Sequence, residues 1–204
     1  MPEFLFENFW AGPSIWALLF ISDYTLTLTC ARLYQNGVRE KIAFEGSYEL
    51  TPFFQRDIDV LRTVSPRFLL VLVLIPSLLV AVRWVSQSSI PEIYAFSLGA
   101  FILSQLSIHI RHFRNLFLFR AAASDQVRGR IEYSRRLSLR VSCIEMLSFC
   151  GLFLAIFAVT QSWLVLGGSL SCLSIGLKHW RLSGSHRPMT EPTPEKAQSA
   201  TSAQ

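Results

Sequence analysis

Apolar residues gather into five runs, at about 10–33, 68–85, 92–110, 141–160 and 163–180. Each is close to the roughly 20 residues that a helix needs to cross hydrocarbon. The first run contains the alternating stretch TLTLT, which has a strand-like period, but an open strand cannot satisfy its backbone in lipid whereas a helix can, so the whole run is expected to be helical. In a helix Asp23 and Thr27 share a face that Cys30 and Tyr34 continue, and that more polar side should face protein. The second run is almost purely Leu, Val and Ile, with Pro76 inside it. The third begins near Pro91 and leads without a break into the stretch QLSIHIRHFRN, residues 105–115. The fifth carries Gly168, Cys172 and Gly176 at i, i+4 and i+8, a row of small residues that lets another helix approach and offers a surface for a helix–helix oligomer.

The polar connections are uneven. Residues 34–66 form a long one of mixed charge, in which Thr51 followed by Pro52 reads as the start of a short helix, PFFQRDIDVLR, with Phe54, Ile58 and Leu61 on one face. Such a helix suits the cytoplasmic interface, apolar face to the bilayer or the bundle. Just before it, FEGSYELTP reads as a tight ordered loop. After Asn115 the chain stays apolar but irregular, and a helical hairpin turning near Gly129 is expected to extend the third and fourth helices into the cytoplasm. Residues 183–204 hold three prolines among Ala, Gln, Ser and Thr and are expected to be a disordered tail behind a single transmembrane domain, 1–182. The fold class that follows is an all-α integral membrane protein, a five-helix bundle with a short interfacial helix and a cytoplasmic hairpin.

Charge orients the bundle. Lys and Arg number none before the first run, six from Arg32 to Arg67, one between the second and third, eight from Arg111 to Arg140, none between the fourth and fifth, and four afterwards. The alternation predicts an outside N-terminus and a cytoplasmic C-terminus, with Trp10, Trp84 and Trp163 at the outer boundary. The first ten residues lack a basic signal-peptide region, so the first run is expected to be retained. Only 16% of residues are charged, and although the net charge is +5, the basic residues lie between apolar runs, which points to lipid bilayer and anionic headgroups as partners and not to nucleic acid. The four cysteines lie in or beside apolar runs without CxxC spacing, so they suggest packing and neither disulfides nor zinc.

The candidate chemistry is concentrated where the third helix leaves the membrane. Gln105, His109 and His112 follow at i, i+4 and i+7, so they form one stripe. Asp23 lies about 13 Å inside the Arg32 boundary by helix rise. An acid at that depth needs a partner, and the Gln105 to Arg111 segment is the nearest candidate. Arg111, Arg114 and Asn115 bring several donors together and could bind a phosphate or headgroup. Glu45 and Glu49 would have to fold over the His112 end to join them. His109 and His112 at i, i+3 could share a metal, but no HExxH or comparable motif strengthens that reading, and no cofactor is indicated. Glu145, near the interface, is expected to snorkel or pair with a basic residue.

No stretch is a reaction signature: there is no Gly-rich phosphate loop and no nucleophile motif. Three function classes fit the pattern. The first is small-solute or ion handling through the polar site of Asp23, Thr27, Gln105, His109 and His112. The second is an enzyme acting on a lipid or lipid-linked phosphate at the cytoplasmic interface. The third is an accessory or assembly protein whose polar residues only lock helices.

Overall fold

Prolines set the start of three helices. A proline at the first helical position loses no hydrogen bond and arrives with a helical φ, and Pro52, Pro66 and Pro91 each begin one. The computed structural model describes residues 5, 8–46, 49–86 and 90–185. In chain order these hold α1 (Ala11–Leu33), β1 (Ile42–Phe44), α2 (Pro52–Asp59), α3 (Pro66–Ser86), α4 (Pro91–Ala123), β2 (Ile131–Tyr133), α5 (Arg135–Thr160) and α6 (Trp163–Ser185). Between α1 and β1 the chain continues through a wide π-helical turn, Tyr34–Val38, and a single α-turn, Arg39–Lys41. The helical path breaks at Gly37, whose φ of 116° lies where a side chain would be strained.

Among the described residues, four helices are long and apolar enough to cross a membrane: Ala11–Lys41, Pro66–Ser86, Pro91–Ala123 and Arg135–Thr160. The protein is therefore predominantly helical and of membrane type. The fifth apolar run is also a helix, α6, of 23 residues, though glycines, serines and the Lys178–His179 pair dilute it. It runs to Ser185, five residues past the apolar run and three into the expected tail, and the rest of that tail lies outside the described residues. The TLTLT stretch is helical. Thr25, Thr27 and Thr29 each return their hydroxyl to the carbonyl four residues back, at 2.8, 2.9 and 2.8 Å, so the polar atoms are satisfied within the helix itself.

α4 is central. It packs against α1 and α3 on one side and α6 on the other, while α5 packs almost entirely on α6. Outward faces are apolar, as in Leu69, Leu70, Val73 and Leu74 of α3 and Leu152, Leu154 and Ile156 of α5. The core between α1, α3 and α4 is built on rings: Phe68 stacks on Phe20 at 5.3 Å and on Tyr24 at 4.4 Å, and Trp16 stacks on Phe20 at 5.0 Å. α2 turns Ile58 into this core and Phe54 against it, so its apolar face meets the bundle. The helix ends at Asp59, short of the expected stretch, because Leu61 adopts a left-handed φ of 52°. Asp57 is buried with Arg62 at 3.5 Å and Arg67 at 3.8 Å.

The approach of α6 to α4 is very close. A Cβ on Gly99 would stand 1.7 Å from the carbonyl oxygen of Leu164, and one on Gly167 would stand 1.9 Å from that of Phe96. The small-residue row continues this contact inside the chain: Gly168 faces Leu103, the Cys172 thiol lies 3.7 Å from Ser107 Oγ, and Gly176 faces Leu147 of α5. That face of α6 is thus occupied by α4 and α5 of the same chain.

The two long polar connections meet in a parallel pair of strands, with Ile42, Ala43 and Phe44 opposite Ile131, Glu132 and Tyr133. Around it, Glu45 N donates to Tyr133 O at 2.9 Å, Glu45 Oε2 accepts from Arg135 N at the start of α5 at 2.9 Å, and Lys41 Nζ donates to Ala122 O at 2.8 Å while pairing with Asp125. The Lys41 ammonium holds the Asp125 carboxyl below the usual carboxylate range. Gly129, with φ of 83°, lies in the turn between α4 and β2. α4 and α5 do not lie side by side beyond it, because α6 packs between them.

Substituting Gly167 by Ala should lower the unfolding midpoint in detergent sharply, since backbone must move to admit the Cβ and overpacking costs about 1–3 kcal/mol or more. Gly151→Ala, where a Cβ meets nothing within 4 Å, should hold or gain up to about 1 kcal/mol from helix propensity. Matching midpoints for the two variants would contradict the close contact of α4 and α6.

Candidate functional site

Helix periodicity places Asp23 and Thr27 of α1 opposite Gln105, His109 and His112 of α4, and the structure brings all five together. His112 Nε2 lies 3.3 Å from Asp23 Oδ1 and 3.4 Å from Thr27 Oγ1. The Thr27 hydroxyl proton is already given to the Asp23 carbonyl at 2.9 Å, so toward His112 the hydroxyl can only accept. That assigns the proton of neutral His112 to Nε2 and leaves Nδ1 as a bare lone pair, buried and without a hydrogen-bond partner. His109 is fixed differently. Its Nδ1 faces the Gln105 carbonyl at 2.9 Å and must donate, which leaves Nε2 unpartnered. Gln105 Nε2 makes no aligned hydrogen bond, although its side chain is close enough to act on the Asp23 carboxyl, and Asp23 Oδ1 has His112 at ion-pair distance but no aligned hydrogen bond. Glu49 and Arg111 are near enough to act electrostatically on Asp23.

Next to this cluster a cavity of about 360 Å³ lies between α4 and α5. Arg111, His112, Arg114 and Asn115 line it from α4, Ser142 and Glu145 from α5, and Glu49 from the loop before α2. The strand pair closes one end with Phe44 and Tyr133, whose rings stack at 5.3 Å. Two contacts span the gap between α4 and α5. Arg111 donates to Ser142 Oγ at 2.5 Å, and Ser142 Oγ is in turn 2.9 Å from His179 Nδ1 of α6. Arg114 pairs with Glu145 Oε1 and also donates to Asn115 Oδ1 at 3.1 Å. Glu145 Oε2 is buried and has no hydrogen-bond partner.

Of the residues singled out in the sequence, Asp23, Thr27, Gln105, His109 and His112 form the buried cluster, and Arg111, Arg114, Asn115 and Glu49 line the cavity beside it. Glu49 folds over the His112 end as that arrangement requires, with Oε1 accepting from Thr51 N at 2.7 Å. Glu45 does not join it: its carboxylate is taken up by the start of α5. Glu145 pairs with a basic residue, but as part of the cavity wall. Ser142, His179, Phe44 and Tyr133 had no sequence signal. The first two are an ordinary serine and histidine on apolar helices, and the rings arrive only through the strand pairing. Among the described residues no group of three or more His, Cys, Asp or Glu side chains is placed to hold a metal ion.

Chemically, the site offers two guanidinium groups balanced by two carboxylates, with an Asp-backed imidazole behind them. A histidine whose Nε2–H meets the Thr27 hydroxyl, with the Asp23 carboxylate 3.3 Å away, and whose Nδ1 is bare is arranged to take up a proton. No family model, curated protein or solved structure matches the chain.

Replacing Asp23 by Leu would set a leucine side chain where the carboxylate stands 3.3 Å from His112 Nε2 and leave that N–H only the Thr27 hydroxyl at 3.4 Å, a cost of up to about 1–3 kcal/mol for a poorly paired buried group. The unfolding midpoint of Asp23→Leu in detergent should fall, and that of Asp23→Asn, which keeps an acceptor, should fall less. A leucine variant as stable as wild type would show that Asp23 and His112 do not interact.

Proposed function

We propose that the protein takes a lipid or lipid-linked phosphate from the cytoplasmic leaflet into the cavity between α4 and α5 and acts on its headgroup as an enzyme, with His112, backed by Asp23, as the acid–base group. The observation that carries this reading is the combination in one cavity of arginines, carboxylates and the His112 imidazole with apolar walls from Leu50, Leu118, Phe119 and Val141. Val141 and Arg114 are partly exposed at the rim, and the neighbouring stripes carry exposed Ile110, Phe113, Phe117 and Ile144. An amphiphile would thus meet hydrocarbon on the outside and charge within. Arginine suits the phosphate oxygens because its planar fork donates in pairs.

Ion handling gains less support. Beyond Gln105 the contact between α1 and α4 is filled by Trp16, Phe20, Leu98 and Ile102, all buried, so the polar cluster is blind-ended. In this reading the bundle crosses the membrane five times, with α6 as the last span, and the strand pair lies in the cytoplasm among the basic connections, where positive charge is retained. The remaining arginines of those connections meet anionic lipid.

Two measurements test the proposal. Lipid extracted from the purified protein should contain a phosphate amphiphile in near-stoichiometric amount, and Arg111→Ala combined with Arg114→Ala should reduce it at least about tenfold, the loss of roughly 1.4 kcal/mol. Protein that retains lipid equally without both guanidinium groups would overturn the site. For orientation, a reporter inserted at Gln126 should read cytoplasmic and one fused after Ser185 should read the same side; opposite sides would reduce the count to four crossings.

A further inference from the structure

The charges of the cavity restrict what the headgroup can be. Arg111 and Arg114 enter from α4, and Glu49 and Glu145 from the loop before α2 and from α5. Behind them, Asp23 on α1 faces His112 with His109 one turn away on α4, and His179 of α6 reaches the cavity wall only through Ser142. By side-chain type, the cavity is lined by two guanidinium groups and two carboxyl groups, and the Asp23 carboxyl lies next to them. A plain anion would therefore enter a region with no net positive charge. It would have to draw Arg114 from Glu145, and it would bring its own charge up to carboxylates.

Hydrogen bonding makes the same selection. Glu145 Oε1 is engaged with Arg114, but Oε2 is buried and accepts from nothing. A buried acceptor without a donor costs about 1–3 kcal/mol, and an anionic headgroup brings at most a hydroxyl, with no positive charge to offset its own beside the carboxylate. A primary ammonium brings three donors. Resting on the reading of the cavity as a phosphate-amphiphile site, we infer that its ligand is zwitterionic: a headgroup carrying a phosphate for Arg111 and Arg114 and a primary amine for Glu145, as in a phosphoethanolamine-type lipid. A quaternary ammonium has the charge but no N–H to give to Glu145 Oε2. Glu145 is then a specificity-determining residue, and the ion pair it makes with Arg114 opens when phosphate and amine take its two halves.

The test is competition binding of the full chain in maltoside detergent, using short-chain phosphatidylethanolamine, phosphatidylglycerol, phosphatidylcholine and phosphatidic acid of identical acyl length, with soluble phosphoethanolamine as a headgroup-only probe. Phosphatidylethanolamine should bind at least tenfold more tightly than the other three lipids. In Glu145→Gln, which keeps the side-chain volume but removes the charge, its advantage over phosphatidylglycerol should fall below about twofold. Equal or tighter binding of phosphatidylglycerol, phosphatidic acid or phosphatidylcholine by the wild-type chain overturns the inference and leaves the phosphate-amphiphile reading standing, as does an unchanged preference in the Gln variant. Soluble phosphoethanolamine binding as tightly as the lipid supports the zwitterion and removes the amphiphile. Binding of none of the five probes overturns both.

Discussion

Gly99 faces the carbonyl oxygen of Leu164, and Gly167 that of Phe96, at separations where no side-chain carbon could stand. In lipid, helices gain little by hiding apolar surface from one another, so contact of this kind, backbone to backbone over small residues, is a main source of association. It holds α6 tightly on α4, and because α5 packs on the other flank of α6, it also fixes how far α5 stands from α4. The gap that results is too wide for direct helix packing and is crossed by long side chains, Arg111 to Ser142 and Arg114 to Glu145. The cavity is in that sense a product of the glycines on its far side.

Many polar groups elsewhere in the bundle are settled locally. The three threonines of α1 bond back to their own helix, Ser104 and Ser107 do the same in α4, and Tyr24 reaches the Arg62 carbonyl at 2.7 Å. Against this background five buried atoms without an aligned hydrogen bond, on Asp23, Gln105, His109, His112 and Glu145, belong to the polar cluster and the cavity beside it, while Asp57 Oδ2 and Arg136 Nε lie outside that group. Buried polar groups are ordinarily satisfied, and a local departure from that rule marks a place where the chain gives up stability for another purpose.

Much of this was legible in the sequence because the bilayer imposes simple patterns. Apolar run length located five helices, though α4 continues thirteen residues past its run and α5 starts six before its own, and the i, i+4, i+7 stripe identified Gln105, His109 and His112 as a set. The depth of Asp23 required a partner; the Gln105 to Arg111 segment was the expected source, and the ion-pair contact is made by His112, one residue beyond it. The limits are as physical. Run length does not show which helix packs on which, so the placement of α6 between α4 and α5 was hidden. The small row at Gly168, Cys172 and Gly176 announced a close contact but not that its partner was in the same chain. Three-residue strands carry too little alternation to be read, so the pairing of residues 42–44 with 131–133, and with it the roof of Phe44 and Tyr133, had no signal. Glu45 and Glu49, four residues apart in one loop, went to different ends because backbone geometry, which charge cannot reveal, decided between them.

The parallel strand pair also orders events in time. Its two strands lie on either side of α2, α3 and α4 in the sequence, and parallel strands cannot be joined by a tight turn. During synthesis β1 is made long before β2 exists, and it must wait until α2, α3 and α4 have been made and placed. The ribbon is thus a late closure: it forms only on a chain whose α3 and α4 have already packed so that residues 131–133 return beside residues 42–44. Until then the β1 edge has no strand to pair with.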